Sequence, residues 1–320
     1  MKKVILIDGN NILFRSYFAT AYKGTILRNS KGFPTNALYG FINIINKILK
    51  EENPSYIMVA FDKGKTFRHE KYKDYKAGRD ATPEDLKLQF PAAKRLCVAL
   101  GIKYFEIDNY EADDIIGTFA KEIDQNDDFI ATIVSSDKDL LQLISDDVTV
   151  KLLKASDYIM MDEDEFKNTY GIEPIKMIDL KALMGDASDN IPGVSGIGEK
   201  TALELIKTYK TIDNLYKAID EGKDNLKPKA KEKLINDRDM AFLSKTLGTI
   251  NRDVPLENKI EDLKIKEWNK EKVTQKFKEL NFNRFMERFN LKEEISEESI
   301  DLNKDLFETE ILNLKHYSFM

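Results

Sequence analysis

Short apolar runs alternate with segments of helical periodicity along the first half of the chain. Residues 4–7, 56–61 and 132–134 are almost continuously apolar, which is typical of strands covered on both faces. Between them, apolar residues recur at helical spacing, most clearly at Ala112, Ile115, Ile116, Phe119 and Ala120. This alternation predicts an α/β fold in which right-handed crossovers produce a mostly parallel central sheet flanked by helices.

Acidic residues gather where these elements predict one edge of the sheet. Asp8 and Asp62 close the first two apolar runs, and Asp137 follows the third. The carboxyl ends of parallel strands share one edge, and ligands bind there. Residues 111–114 begin the next helix, where the helix dipole favours negative charge. The nine acids that we expect to converge are Asp8, Asp62, Glu111, Asp113, Asp114, Asp137, Asp139, Asp186 and Asp189.

Mutual repulsion makes this set costly unless cations bind to it. Two like charges 4 Å apart repel by about 4 kcal/mol at an effective dielectric of 20. The alternative for one or two of the first-turn acids is that they only stabilise the start of a helix, but this does not explain the whole set. No His or Cys lies near the acidic motifs, so the ligands are hard oxygens that suit Mg²⁺ and Mn²⁺ better than zinc. We expect two or more ions, as in two-metal attack on a phosphodiester.

Length and charge predict a two-domain protein with a basic body. The 320 residues leave room for an α/β domain at about 1–175 and a helical domain at about 176–290, followed by an acidic tail at 291–320. The net charge is −6, of which the tail carries −5. Without the nine clustered acids the body carries +8, which is compatible with a phosphate backbone as partner.

Composition excludes a membrane protein and a disulfide scaffold. There is no run of 18 apolar residues and no signal-peptide pattern, so we expect a cytoplasmic monomer without membrane contact. The one cysteine, Cys97, falls on an apolar helical stripe and is interpreted as a core residue.

A basic segment follows the second predicted strand. Residues 63–79 hold seven Lys or Arg and three aromatic residues. Cations at this density bind backbone phosphate, and interleaved tyrosines stack on unpaired bases. The alternative is a solvated helix face of mixed charge.

A glycine-rich turn separates two predicted helices, at about 175–184 and 199–209. Gly196 and Gly198 make the turn tight, and free N–H groups at the start of the second helix form an anion site. This pattern predicts a helix–hairpin–helix that holds a DNA backbone without reading bases, or else a purely structural turn. A nucleotide-binding P-loop is excluded, because Glu199 separates Gly198 from Lys200 and no strand precedes the turn.

Together these motifs resemble the 5′ nuclease, or flap endonuclease, family, in particular the N-terminal 5′→3′ exonuclease domain of bacterial DNA polymerase I. The resemblance is collinear over about residues 1–290. Its motifs are Ile7-Asp8-Gly9-Asn10, Ala60-Phe61-Asp62, Phe67-Arg68-His69-Glu70, Tyr75-Lys76-Ala77-Gly78-Arg79, Tyr110-Glu111-Ala112-Asp113-Asp114, Ser136-Asp137-Lys138-Asp139-Leu140 and the run from Gly185 to Thr201.

The resemblance implies a PIN-like 5′ nuclease fold and a role for each matched residue. Metal ligands of the first ion would be Asp8, Asp62, Glu111, Asp113 and Asp114, and those completing or holding the second would be Asp137, Asp139, Asp186 and Asp189. Asp137, Lys76 and Arg15 are the implied catalytic residues. Implied DNA contacts are Arg15, Arg68, Tyr75, Lys76, Arg79, Lys181, Gly193, Gly196, Gly198 and Lys200. An arch would span about residues 63–95, and the hairpin permits a K⁺ ion.

The sequence therefore predicts a Mg²⁺-dependent enzyme that hydrolyses phosphodiester bonds at 5′ ends and 5′ flaps of branched or nicked duplex DNA, RNA-primed ends included, in replication and repair. Two alternatives remain. A PIN-like ribonuclease would explain Asp8, Asp113 and Asp137 but not the glycine hairpin. A non-catalytic module that binds branched DNA would not need nine carboxylates. A free-standing nuclease and a piece of a polymerase I both fit the chain length.

Overall fold

The computed structural model describes residues 1–21, 25–155 and 157–291. The predicted acidic tail therefore lies outside the described residues from residue 292 onward. Within the described residues six strands form one sheet: β1 Lys2–Asp8, β2 Tyr56–Ala60, β3 Lys103–Phe105, β4 Phe129–Ser135, β5 Val148–Leu153 and β6 Tyr158–Met161. Their order across the sheet is β3-β2-β1-β4-β5-β6.

The sheet is parallel except at one edge. Leu6 of the central strand β1 pairs with Met58 of β2 and with Ile133 of β4, both in parallel. β3 and β5 continue the parallel pairing, and β6 runs antiparallel to β5. The predicted mostly parallel sheet is confirmed, and its three predicted strands are β1, β2 and β4. The other three strands were not predicted individually, because each is short or interrupted by polar residues.

Helices cover both faces of this sheet and continue beyond it. They are α1 Gly9–Thr20, α2 Asn36–Glu52, α3 Phe67–Lys71, α4 Glu84–Lys87, α5 Gln89–Ala99, α6 Ala112–Ile123, α7 Glu163–Tyr170, α8 Met177–Met184, α9 Glu199–Tyr209, α10 Ile212–Asp220, α11 Pro228–Asn236, α12 Arg238–Gly248, α13 Lys270–Leu280 and α14 Asn283–Arg288. Among the described residues, no helix is both long enough and apolar enough to cross a bilayer.

The sheet separates two hydrophobic cores, one on each of its faces. Successive strand side chains point to opposite faces, so Val4 and Leu6 join a core with α6 while Ile5 and Ile7 join one with α1, α2 and α5. The predicted apolar stripe of α6 is buried in the first core, with Phe119 fully enclosed. This packing places the acidic start of α6 at the carboxyl edge of the sheet.

The helices α8 to α12 follow one another in the predicted helical region, whereas α13 and α14, which that prediction included, pack with α2 and α5 in the second core. α8 and α9 match the two helices predicted around the glycine turn, except that residues Pro174–Lys176 form a 3₁₀ turn before α8. Their apolar residues, among them Leu180 and Ile206, belong to the same core as α6. A division into two domains near residue 175 stays a prediction.

Candidate active site

The junction between β1 and α1 holds Asp8. Its carboxylate accepts hydrogen bonds from the Asn11 backbone N–H at 3.0 Å and from the Ser135 hydroxyl at 2.9 Å. It therefore caps α1 and faces the end of β4. Gly9 permits this junction, because a Cβ there would lie 2.5 Å from the Phe61 ring. The first predicted acid is thereby fixed at the carboxyl edge of the sheet.

Asp62 links the end of β2 to the start of α6. Its carboxylate accepts from the Asn10 side-chain amide and from the Ala112 backbone N–H, both at 2.8 Å. The Asn10 amide oxygen accepts from the Asp62 backbone N–H at 3.2 Å. Asn10 and Asn11 therefore orient two of the acids. Sequence analysis assigned no role to either, and the one available signal was their position directly after Asp8.

Asp137 and Asp139 occupy the loop that follows β4. The Ser135 hydroxyl accepts from the Asp137 N–H at 3.0 Å, and the Asp137 carboxylate accepts from the Asp139 N–H at 2.8 Å. Asp113, in the first turn of α6, lies near enough for Asp137 to repel it. The loop and the helix thus bring their acids to the same edge as Asp8.

Burial and mutual repulsion raise the pKa values of Asp8, Asp113 and Asp139. Burial, with added repulsion from Asp62 and Asp137, raises the pKa of Asp8 to about 7. Burial and Asp137 likewise raise the pKa of Asp139 to about 7. The pKa of Asp113 is raised well above its ordinary value, chiefly by burial. Ionising all of these carboxyl groups together is therefore unfavourable unless a cation binds beside them.

A second group of acids contacts protein cations. The Lys76 ammonium lies 2.9 Å from Glu111 and 3.8 Å from Asp189, and Arg79 also pairs with Asp189. Burial alone would lower the pKa of Lys76, but Glu111 and Asp189 raise it. Lys76 therefore stays charged at the edge of the acid cluster.

Lys181 bridges Asp139 and Asp186. Its ammonium contacts Asp139 and lies 2.6 Å from Asp186. Burial alone would raise the pKa of Asp186, but Lys181 lowers it. In this structure the buried Lys181 ammonium is held by two carboxylates, and its predicted DNA contact stays a prediction.

Asp114 is turned away from the other acids by Arg68. The guanidinium donates to both Asp114 oxygens at 2.8 Å, and the same oxygens accept from the backbone N–H groups of Glu111 and Asn251. Both side chains are almost completely buried, at 3% and 0% exposure. This geometry contradicts the predicted metal contact of Asp114 and the predicted DNA contact of Arg68.

Two further predicted DNA contacts are also buried. Tyr75, 3% exposed, packs against Ile191 and Leu247, and its hydroxyl lies 3.2 Å from Glu111. It cannot stack on a base in this conformation. Gly193 is also buried, and its backbone N–H donates to the Ser244 hydroxyl at 2.9 Å.

The hairpin keeps an exposed turn. Gly196, Gly198 and Lys200 are exposed, and Gly196 has a φ of +69°, which favours glycine. The Gly196 carbonyl accepts from the Lys233 ammonium at 3.0 Å. One carbonyl of the turn therefore already has a cationic partner, and the predicted K⁺ ion stays a prediction.

Arg15 lies in a basic cleft that is lined by none of the nine predicted acids. It donates to the Lys154 carbonyl and lines a cavity of about 450 Å³ between α1, α2 and the β5–β6 edge. The other cations that line this cavity are Lys47, Lys151, Lys154, Arg284 and Arg288. The cleft can therefore accept a phosphate-bearing ligand.

The acids do not yet form a closed metal cage. Across residues 1–21, 25–155 and 157–291, no three Asp, Glu, His or Cys side chains are already grouped to hold one ion. Lys76 and Lys181 hold oxygens of Glu111 and Asp139 instead. The donor set is nonetheless all carboxylate and carries uncompensated charge, so it fits a hard divalent ion.

Two family models cover most of the chain. Residues 3–171 match the 5′-3′ exonuclease N-terminal resolvase-like domain, and residues 172–271 match the 5′-3′ exonuclease C-terminal SAM fold. The chain belongs to the 5′-3′ exonuclease family. The predicted family resemblance is thus confirmed.

Curated relatives of this 5′-3′ exonuclease family member are bacterial polymerases. DNA polymerase I of Bacillus caldotenax is 45% identical over 96% of this chain and 34% of its own length. DNA polymerase I of Bacillus subtilis is 43% identical over 95% of this chain and 33% of its own length. The chain therefore spans about a third of the length of these relatives.

Solved structures show the same fold in other members of this family. The T5 5′-exonuclease with bound divalent metal ions (zinc) has a TM-score of 0.64 and 25% identity, covering 78% of this chain and 90% of that one. A flap endonuclease of bacteriophage T5 with DNA and metal ions has a TM-score of 0.63 at 25% identity, covering 78% and 89%. Flap endonuclease-1 from Methanococcus jannaschii, at 22% identity, shares the fold with a TM-score of 0.59 and covers 90% of each chain. The predicted PIN-like 5′ nuclease fold with its helical region is confirmed.

Proposed function

We propose that this 5′-3′ exonuclease family member is a metal-dependent 5′ nuclease that hydrolyses phosphodiester bonds at 5′ ends and 5′ flaps of duplex DNA. One observation carries the proposal. Asp8, Asp62, Asp113 and Asp137 meet at the carboxyl edge of the sheet, and among the described residues none has a Lys or Arg within salt-bridge distance. Converging carboxylates with no lysine or arginine in direct contact favour the binding of cations.

Mg²⁺, for which Mn²⁺ should substitute, is the ion proposed for this site. Asp8, Asp62, Asp113 and Asp137 would hold it, with Glu111 and Asp139 available once their lysines move. When bound, two such ions activate water and stabilise the charge that develops on both oxygens of an in-line displacement. The T5 homologue with bound divalent ions supports metal dependence; the choice of Mg²⁺ depends on the all-oxygen donor set.

Lys76 is proposed to neutralise charge on the phosphate under attack. Its side chain is 18% exposed and lies between Glu111 and Asp189, so its ammonium can exchange a carboxylate for a phosphate oxygen without a large movement. A fixed cation beside a developing negative charge is worth several kcal/mol in a site that excludes water. Arg79, whose side chain is half exposed beside Asp189, extends the same positive surface outward.

The basic cleft and the hairpin are proposed to bind the duplex on either side of the junction. Arg15 and its neighbouring cations would hold backbone phosphates in the cleft, and the exposed turn with Lys200 would hold phosphates further along. A substrate held in this way would bring its 5′ end to the carboxylates, as removal of 5′ flaps and RNA primers in replication and repair requires. A monomeric state and a cytoplasmic location stay predictions.

Cleavage of a labelled flap duplex tests this proposal. The protein is incubated with a 5′-labelled flap, with a blunt duplex and with single-stranded RNA, in Mg²⁺ or in EDTA. We expect Mg²⁺-dependent cutting near the flap junction. Binding without cutting would identify a DNA-binding module, and cutting of the RNA alone would contradict the proposed substrate.

A further inference from the structure

Arg68 belongs by sequence to the basic segment but by structure to the interior. Its Nε donates to the Leu247 carbonyl at 2.9 Å, and Nη2 donates to the Thr249 carbonyl at 2.9 Å. Its two terminal nitrogens also donate to Asp114. Nearly all of its planar donor set is used within the protein, which leaves no donor face for a phosphate.

Asp114 connects this guanidinium to the acidic turn. Besides Arg68, its oxygens accept from the Glu111 N–H at 2.9 Å and from the Asn251 N–H at 2.8 Å. The Glu111 bond fixes the backbone at the residue that precedes α6. Because Glu111 and Asp113 project from that backbone, the direction of both carboxylates depends on where Asp114 is held.

The return segment, defined as residues 247–254, comprises the end of α12 and the residues that follow it, and it packs along α6. Asn251 contacts Asp114 as described, and the Val254 N–H donates to the Thr118 hydroxyl at 3.0 Å. Arg252 donates to the Gly117 carbonyl at 3.3 Å. A Cβ at Gly117 would lie 2.6 Å from Ile250, so the return segment approaches the helix as closely as a glycine allows. The helical region is thus fastened to the same helix that starts with the acids.

We propose that Arg68 is a positioning residue that couples the packing of the return segment to the placement of the Glu111 and Asp113 carboxylates. This inference rests on the proposed metal site. With Arg68 in place, the return segment, Asp114 and the start of α6 form one hydrogen-bonded unit. Without Arg68, the Asp114 carboxylate loses two donors in a buried position and must seek others, which moves the Glu111 backbone with it.

A merely structural role would give a different pattern of effects. Removing Arg68 alone leaves the Asp114 carboxylate buried without its cation and lowers stability whichever role Arg68 has, so a loss of stability does not distinguish the two roles. Groups that orient metal ligands, in contrast, commonly change metal affinity by 10- to 100-fold when they are removed. Metal affinity therefore separates the two roles where stability does not.

The test compares Arg68→Met with Arg252→Met in the full chain. Both side chains tie the return segment to α6, but Arg252 reaches Gly117 and Asp124, away from the acidic turn. Mn²⁺ affinity is measured by isothermal titration, and amide hydrogen exchange is measured at Glu111 without metal. We expect Arg68→Met to weaken Mn²⁺ binding at least 10-fold and to speed exchange at Glu111, while Arg252→Met leaves both within twofold of wild type.

Arg68→Lys serves if Arg68→Met does not fold. Lysine keeps the charge but cannot hold both Asp114 oxygens and two carbonyls together, so we expect an intermediate loss of Mn²⁺ affinity. Equal affinity and equal Glu111 exchange in wild type and in the folded Arg68 variant would overturn the inference. Absence of Mn²⁺ binding in the wild type would instead overturn the proposed function, and the Glu111 exchange would still test the coupling.

Discussion

Two sets of carboxylates share the carboxyl edge of the sheet and differ in what faces their oxygens. Glu111, Asp114, Asp139, Asp186 and Asp189 each contact a lysine or an arginine. The other set has no such contact: Asp8, Asp62 and Asp137 accept hydrogen bonds only from neutral groups. Asp113 accepts no hydrogen bond from any described residue. We call these the paired acids and the unpaired acids.

The contrast shows how the fold divides its own negative charge. Paired acids contact a lysine or an arginine, so they hold elements together and keep Lys76 and Lys181 at the edge, although burial and Asp137 still raise the pKa of Asp139. Among the unpaired acids, burial with added repulsion from neighbouring carboxylates raises the pKa of Asp8 and of Asp113, and no cation of the described residues lies in direct contact with them. A site that remains costly without a ligand is poised to bind one.

The largest expected effect concerns Asp114, the most deeply paired acid. Asp114→Asn leaves Arg68 buried with its charge uncompensated, and we expect the free energy of unfolding to fall by about 3–5 kcal/mol. The matched change Asp113→Asn, one residue earlier, should raise the stability of the metal-free protein because it removes a repelled carboxylate. Denaturant unfolding in EDTA measures both, and equal effects of the two variants would break the distinction between the sets.

Asp113→Asn should have the larger effect on cleavage. We expect kcat on a flap substrate in Mg²⁺ to fall at least 100-fold, equivalent to about 2.7 kcal/mol of transition-state stabilisation. Asp164→Asn, on the exposed face of α7, is the control and should cut like wild type. Full turnover by Asp113→Asn would show that Asp113, and with it the set of unpaired acids, is not required for cleavage.

The dependence of stability on pH should follow the acids whose pKa values burial raises, which include the unpaired Asp8 and the paired Asp139. The pKa of Asp8 rises from an ordinary 3.8 to about 7, so the folded state binds more protons than the unfolded state between these values. Stability without metal should therefore fall as the pH rises, by about 2 kcal/mol per such group between pH 5.5 and 7. Thermal unfolding in EDTA tests this, and Mg²⁺ should stabilise the protein more at pH 8 than at pH 5.5. A metal-free protein that gains stability over this range would contradict the raised pKa values.

The smallest effect is expected at exposed cations outside both sets. Lys200→Ala at the start of α9 should weaken duplex binding modestly and reduce the slope of log affinity against log salt by about 1. Lys50→Ala, exposed at the end of α2, should change neither. Identical salt slopes for wild type and Lys200→Ala would exclude the hairpin from the DNA path.

The sheet and the convergence of the acids could be predicted from local pattern. Continuous apolar runs mark β1, β2 and β4, and parallel connections require that their carboxyl ends meet, which brings Asp8, Asp62 and Asp137 to one edge. Short strands such as β3 give little pattern to read. The predicted helices around the glycine turn, α8 and α9, follow from strong periodicity and the turn residues between them.

The division into paired and unpaired acids could not be predicted, because it depends on distant contacts. Arg68 lies among lysines and tyrosines in sequence, which indicated a phosphate contact. Its partners are Asp114 and the carbonyls of Leu247 and Thr249, far along the chain, and no local pattern reports them. The burial of Tyr75 could not be predicted for the same reason, since it depends on Ile191 and Leu247.

Counting bound Mn²⁺ ions at pH 8 tests most directly whether the unpaired acids are the metal site. The wild type, Asp113→Asn and Asp114→Asn are titrated and followed by electron paramagnetic resonance, under conditions in which each variant is folded. We expect Asp113→Asn to lose at least one ion, and Asp114→Asn to keep the wild-type number at reduced affinity. Loss of the ion from Asp114→Asn with full binding by Asp113→Asn would show that the ligands belong to the paired set.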